Sequence, residues 1–132
     1  MIVVDTNVIA YLYLPGDRTS AAEALCRRDP EWVAPMLWRS EMRNLLATQV
    51  RGGRLALDAA QSIQTEAEGL MRGREFEVDS AEVLRLSVES GCSAYDSEFV
   101  ALADYLDLPL VSADRRLVER FPARARLLGA QS

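Results

Sequence analysis

Histidine and lysine are both missing from the 132 residues; all 15 basic residues are arginine, against 20 acids. Without lysine there is no Schiff base, no Ser-Lys pair and no ammonium grip of a Walker-type loop. Without histidine there is no Ser-His or Cys-His nucleophile and no imidazole metal site. Catalysis must then come from carboxylates, hydroxyls, guanidinium groups or a bound cofactor, and an all-oxygen ligand set favours hard ions such as Mg²⁺ or Mn²⁺. Cysteine is scarce: Cys26 and Cys92 lie far apart and in no metal-ligand spacing. They read as small buried hydrophobes in a reducing, cytoplasmic setting rather than as a disulfide. No apolar run approaches the ~20 residues of a membrane span. The opening MIVVDTN lacks the basic region of a signal peptide and reads as a first strand. A net charge of −5 argues against nonspecific coating of nucleic acid, while leaving room for a local basic surface.

What is present suits one soluble domain over residues 1–132, 49% hydrophobic and 27% charged. Met1–Val4 is a continuous apolar run, as in a strand buried on both faces. Helices are expected over 8–14, 17–28, 36–51, 57–71, from a cap at Asp79 to Gly91, over 94–106 and over 115–121, with short strands at 32–34, 75–78, 108–112 and 126–128. Strands alternating with helices predict an α/β fold with a mostly parallel sheet covered on both faces. Ligands of such sheets bind beyond the carboxyl ends of the strands. Asp5 lies at one such end and Asp114 two residues past another.

Two further acids sit where apolar side chains are expected. At ~100° per residue, Glu41 falls inside the stripe of Leu37, Trp38, Met42 and Leu45, with Arg39 and Arg43 pointing away. In the helix from Ala94, Asp96 falls inside the stripe with Val100 and Ala103, and Glu98 and Asp104 fall outside it. A buried, unpaired carboxylate costs several kcal/mol or takes up a proton. A divalent cation shared by Asp5, Glu41, Asp96 and Asp114 would relieve burial and mutual repulsion together. Each acid also has a plainer explanation. Ser93-Ala-Tyr-Asp96 matches a capping box, Asp5 or Thr6 can cap the helix after the first strand, Asp114 can cap the next one, and Glu41 can pair with an arginine. Thr6, Asn7 and Ser112 could orient a carboxylate or hold a metal-bound water, or bond the backbone at a turn.

The segments VVDTNV, WRSE, AYDSEFVALA and LPLVSADRRL, in that order, resemble the PIN domain nucleases, and most closely the VapC-type toxins of bacterial toxin–antitoxin pairs. The resemblance covers nearly the whole chain. It implies a three-layer α/β/α sandwich and a Mg²⁺- or Mn²⁺-binding acidic pocket that hydrolyses RNA phosphodiesters. Carried over by motif, the acids are Asp5, Glu41, Asp96 and Asp114, with Thr6 as the hydroxyl after the first acid and Ser112 where the family has threonine. The resemblance also implies a homodimer and a small antitoxin, gripped by the helix pair 36–71. On the nuclease reading, Arg39, Arg43, Arg115, Arg116 and Arg120 are candidates to position the RNA backbone. Two alternatives stay open: a Mg²⁺-dependent phosphatase with an Asp5 nucleophile, against which the missing lysine counts, and a non-catalytic module that binds RNA or an antitoxin.

Overall fold

The computed structural model describes residues 1–130, so the last two residues of the expected domain lie outside the described part. In chain order the elements are β1 (Ile2–Val4), α1 (Thr6–Tyr13), α2 (Thr19–Arg28), β2 (Trp32–Pro35), α3 (Leu37–Arg51) and α4 (Leu57–Met71). There follow β3 (Glu75–Phe76), α5 (Ser80–Ser90), α6 (Ala94–Leu106), β4 (Leu110–Ser112), α7 (Arg115–Arg120) and β5 (Ala125–Leu127). The strands form one parallel sheet in the order β3-β2-β1-β4-β5.

That order explains the apolar runs. β1, β2 and β4 are interior strands and every residue in them is buried. Edge strand β3 is only half-buried, and β5 turns Arg126 outward. The crossovers β1 to β2 and β2 to β3 step one way, while β3 to β4 and β4 to β5 step the other. Right-handed crossovers therefore send α1 to α4 to one face and α5 to α7 to the other, which gives an α/β/α sandwich. β1 is the strand at which the direction reverses, with β2 on one side and β4 on the other. In open sheets this switch point opens a crevice at the carboxyl ends.

The helices begin and end where local chemistry allows. The Asp79 carboxylate accepts the Glu82 amide at 3.2 Å to start α5, and Gly91 ends that helix at φ 78°, a conformation glycine takes without strain. Ser93 Oγ accepts the Asp96 amide at 3.0 Å to start α6. α6 packs on β1, β2 and β4 and buries Ser97 through Ala103, apart from half-buried Glu98. Trp32, Trp38 and Phe99 are among the largest fully buried side chains. At ~25 cal/mol per Å² of apolar surface, each such ring contributes several kcal/mol.

Candidate functional site

The site grows from the switch point. Asp5 follows β1 directly, and its amide donates to the Val111 carbonyl at 2.9 Å, continuing the β1–β4 pairing. Its carboxylate is turned back on the start of α1: Oδ1 accepts the Thr6 amide at 2.8 Å. Oδ2 accepts the Ser112 hydroxyl at 2.7 Å and, at 3.4 Å, the Asn7 side-chain amide. Ser112 Oγ in turn accepts the Asp114 amide at 3.0 Å, and Asn7 Oδ1 accepts the Ala113 amide at 3.2 Å. One polar mesh thus binds the ends of β1 and β4. From the neighbouring helix, Glu41 Oε1 accepts the Thr6 hydroxyl at 2.7 Å, which ties α3 to α1. Asp96 enters from the first turn of α6, and Asp114 caps α7, accepting the Arg116 amide at 2.9 Å.

Asp5, Glu41, Asp96 and Asp114 line a single cleft of about 470 Å³, together with Thr6 and Asn7. Several of the simpler roles coexist with this placement, since Asp5 and Asp114 do cap helices and Ser93 caps α6. Glu41 and Asp96 are half-buried, so Glu41 marks the edge of its stripe; fully buried in α3 are Trp38, Met42 and Leu46. Its position at the edge lets the carboxylate reach the cleft.

The electrostatics bear the mark of uncompensated crowding. Burial pushes the Asp5 carboxyl up to about 6, against the Ser112 hydrogen bond, and the charges of Asp96 and Glu41 add to the rise. Glu41 is raised by burial, opposed by the Thr6 hydrogen bond, and raised further by Asp96 and Glu98. Asp96 is raised by burial and by Asp114. None of the four acids forms an ion pair among the described residues.

The donor set suits a hard divalent ion: carboxylates, hydroxyls and an amide, all oxygen on the acceptor side. Among the described residues no three acids are grouped tightly enough to enclose an ion by themselves. Mg²⁺ is held by one or two carboxylates while keeping waters and taking substrate phosphate oxygens. Asp5, fixed on both oxygens, would hold it directly, with Asp96 and Asp114, which line the same cleft, reaching it through bound waters.

The arginines divide. Arg39 is held at 2.5 Å by Glu75 and at 3.0 Å by Glu68, with Trp38 Nε1 also donating to Glu75, so it ties α3 to β3 and α4 and lies outside the cleft. Arg43 lies 3.9 Å from Glu68 on the groove between α3 and α4. Arg116 lines a smaller recess of about 170 Å³ that shares Asp96 and Asp114 with the cleft. Arg115 is exposed beside it, and Arg120 donates to the Ser90 carbonyl at 2.9 Å.

Sequence reasoning missed four contributors. Glu98, expected to lie outside the apolar stripe, is half-buried and raises Glu41. It stands four residues before buried Leu102, at the border of the stripe. Asn44, Thr48 and Gln49 also line the cleft. They follow Glu41 at three, seven and eight residues, the spacing of one helix face, and that periodicity was a readable signal.

Residues 2–122 match the PIN domain family. The chain is 33% identical over 126 residues to Ribonuclease VapC3 of Pyrobaculum aerophilum, covering 92% of this chain and 95% of the relative. A crystal structure from Pyrobaculum aerophilum superposes with a TM-score of 0.79 at 22% identity, covering 98% of this chain and 85% of the other. A toxin–antitoxin complex from Klebsiella pneumoniae gives 0.69 at 13% identity, with 96% of each chain covered. FitAcB from Neisseria gonorrhoeae gives 0.70 at 18% identity, covering 98% and 97%.

Proposed function

The chain belongs to the PIN domain family, among its VapC-type members, and from that premise we propose that it is a metal-dependent endoribonuclease acting as the toxin of a toxin–antitoxin pair. The observation that carries the reading is the convergence of Asp5, Glu41, Asp96 and Asp114 on one cleft at the sheet's switch point, with no arginine in its lining. Crowded acids that repel one another, none of them ion-paired and with only Arg116 acting on Asp96 from the adjoining recess, are what a bound divalent ion would compensate. The phosphatase alternative fares worse because the chain has no lysine to place beside the phosphate of an Asp5 acyl-phosphate.

Each residue then has a task. A divalent ion held by Asp5 with Asp96 and Asp114 would neutralise the cleft and draw charge from the scissile phosphate. Ser112, Asn7 and the Thr6 amide hold the Asp5 carboxylate in one orientation. Thr6 Oγ1 orients Glu41 at 2.7 Å. With its pKa raised, Glu41 is a better proton acceptor than an ordinary carboxylate, and it would take the proton of the attacking water. In-line attack of that water leaves a 5′-phosphate and a 3′-hydroxyl. Arg116 beside Asp96 and Asp114 would hold a neighbouring phosphate.

The antitoxin assignment has its own support. α3 and α4 enclose an apolar groove of about 490 Å³ along Leu46, Val50, Leu57 and Ala60, bordered by Arg43 and Arg51. It would take an amphipathic segment with acidic flanks, and the protein would act as a homodimer in the cytoplasm. The test is end-labelled total RNA incubated with the purified chain in Mg²⁺, Mn²⁺ or EDTA, with Asp96→Asn alongside. Discrete fragments from the wild type with metal alone are expected. An intact RNA pool in every metal, or equal cutting by Asp96→Asn, would overturn the assignment.

A further inference from the structure

A second cleft, of about 500 Å³, opens beside the acidic one, and the two share Leu45 and Gln49 in their walls. Its features differ from those of the acidic cleft. Tyr11 sits on α1 four residues after Asn7, so both side chains lie on one face of that helix, ~6 Å apart along its axis. The Arg18 guanidinium lies over the Tyr11 ring, 5.5 Å from its centre. Arg18 Nη1 also donates at 3.3 Å to the carbonyl of Ala113, the residue before Asp114. This exposed side chain therefore spans from the turn before α2 to the strand end that carries the acids. Among the described residues it pairs with no carboxylate. Ala10, Leu14 and Pro15 supply apolar walls, and Asp17 is the one acid of the lining.

We propose that the Tyr11–Arg18 pair is a base-stacking subsite, which receives the nucleobase next to the phosphate placed in the acidic cleft. The inference rests on the ribonuclease reading and adds the element that would give that reading sequence preference. A guanidinium laid over an aromatic ring leaves the outer side of the pair open, and aromatic and guanidinium surfaces are those on which unstacked RNA bases lie. The apolar walls favour a base over a phosphate. Asp17 repels a phosphate but can accept a hydrogen bond from an exocyclic amine, as on cytosine. The strand would run from this subsite past Asp5 and Glu41 to the recess at Arg116, because the acidic cleft shares walls with both neighbours. Arg18 also sets a positive charge at the mouth of an acid-rich cleft, where a polyanion must enter.

The subsite can be read with and without cleavage. Tyr11→Ala, Tyr11→Phe and Arg18→Ala are made in the wild type and in the Asp96→Asn background. Binding of a short, fluorescent, mixed-sequence single-stranded RNA is followed by anisotropy in Mg²⁺ on the Asp96→Asn proteins. Cleavage of total RNA by the wild-type-background proteins is followed by end mapping. Tyr11→Ala and Arg18→Ala are each expected to weaken binding about tenfold, the effect of losing one base stack. Tyr11→Phe, which keeps the ring, should bind as its parent does. In cleavage the two alanine variants should raise KM, leave kcat within a few-fold, and flatten the base preference at one position beside the cut. An abasic residue at that position should weaken the parent as much as Tyr11→Ala does and leave Tyr11→Ala unaffected. Exposed Arg18 keeps the test open should Tyr11→Ala fail to fold. Cleavage by the wild type with unchanged binding and preference in both Tyr11→Ala and Arg18→Ala would overturn the subsite alone. A wild type that neither binds nor cuts RNA would overturn the ribonuclease reading and the subsite with it.

Discussion

In protein stripped of divalent ions, Asp5→Asn is expected to make the fold more stable at neutral pH. Burial, with Asp96 and Glu41 adding to it, raises the Asp5 carboxyl from 3.8 to about 6. Below pH ~4 the group is protonated in folded and unfolded chain alike and contributes nothing to the difference. Between about 4 and 6 the folded state holds a proton that the unfolded chain has released, so stability falls as pH rises through this window and stays lowered above it. A shift of about two units corresponds to roughly 3 kcal/mol. Asparagine avoids that penalty, keeps an oxygen for the Thr6 amide, and can donate to Ser112 Oγ. The rise already contains the Ser112 and Thr6 hydrogen bonds that favour the carboxylate, so the gain expected above pH 6 is the full roughly 3 kcal/mol, or about 10 °C in Tm. The assay is urea unfolding of both proteins in EDTA across pH 4 to 8. Only the difference between them is read, which cancels the titrating groups that do not feel the Asp5 charge and leaves Asp5 with its coupled neighbours Asp96 and Glu41. It should be near zero at pH 4 and full above pH 6. Added Mg²⁺ should close the gap by stabilising the wild type alone. An Asp5→Asn protein less stable than wild type at pH 7.5 in EDTA, or a gap indifferent to Mg²⁺, would refute the account of the cleft as crowded and cation-starved.

Three further outcomes follow from named contacts. Asp96→Asn should abolish metal-dependent RNA cleavage with an unchanged circular dichroism spectrum, since it removes a half-buried acid from the cleft without removing the Ser93 cap of α6; retained activity would exclude Asp96 from the chemistry. Thr6→Val deletes the 2.7 Å hydrogen bond to Glu41 and should lower kcat about tenfold while costing ~1 kcal/mol of stability, with the pH–rate profile moving upward as Glu41 loses the bond that holds its pKa down; an unmoved profile would show that Glu41 is not the titrating base. Glu75→Gln removes the charge opposite the Arg39 guanidinium and replaces the oxygen that accepts from Arg39 Nη2 by an amide donor, so it should lower the denaturant midpoint by the equivalent of ~2 kcal/mol yet leave cleavage intact, because this ion pair lies away from the cleft; loss of cleavage with normal stability would return Arg39 to the RNA-binding surface.

The element order, the interior place of β1 and the suspicion attached to four acids were legible in the residues alone. These rest on local physics. A run such as Ile-Val-Val needs shelter on both faces, and an aspartate before a helix satisfies its first amides. An acid among apolar residues at helical spacing signals a charge near the core. Helical phase, however, gives only a direction. It placed Glu41 inside its stripe and Glu98 outside, whereas the fold sets Glu41 at the edge and leaves Glu98 half-buried, because burial depends on how far the neighbouring elements extend. Which partners meet depends on the assembled fold. Ser112 bonds Asp5 across 107 positions, and Thr6 bonds Glu41 across 35. Arg39 is paired with Glu75 on β3, outside the cleft, and Arg18 is brought over Tyr11 in the neighbouring cleft. The strand order carries these residues to one switch point, and order is set by crossover direction and by packing of whole faces, which no single segment encodes.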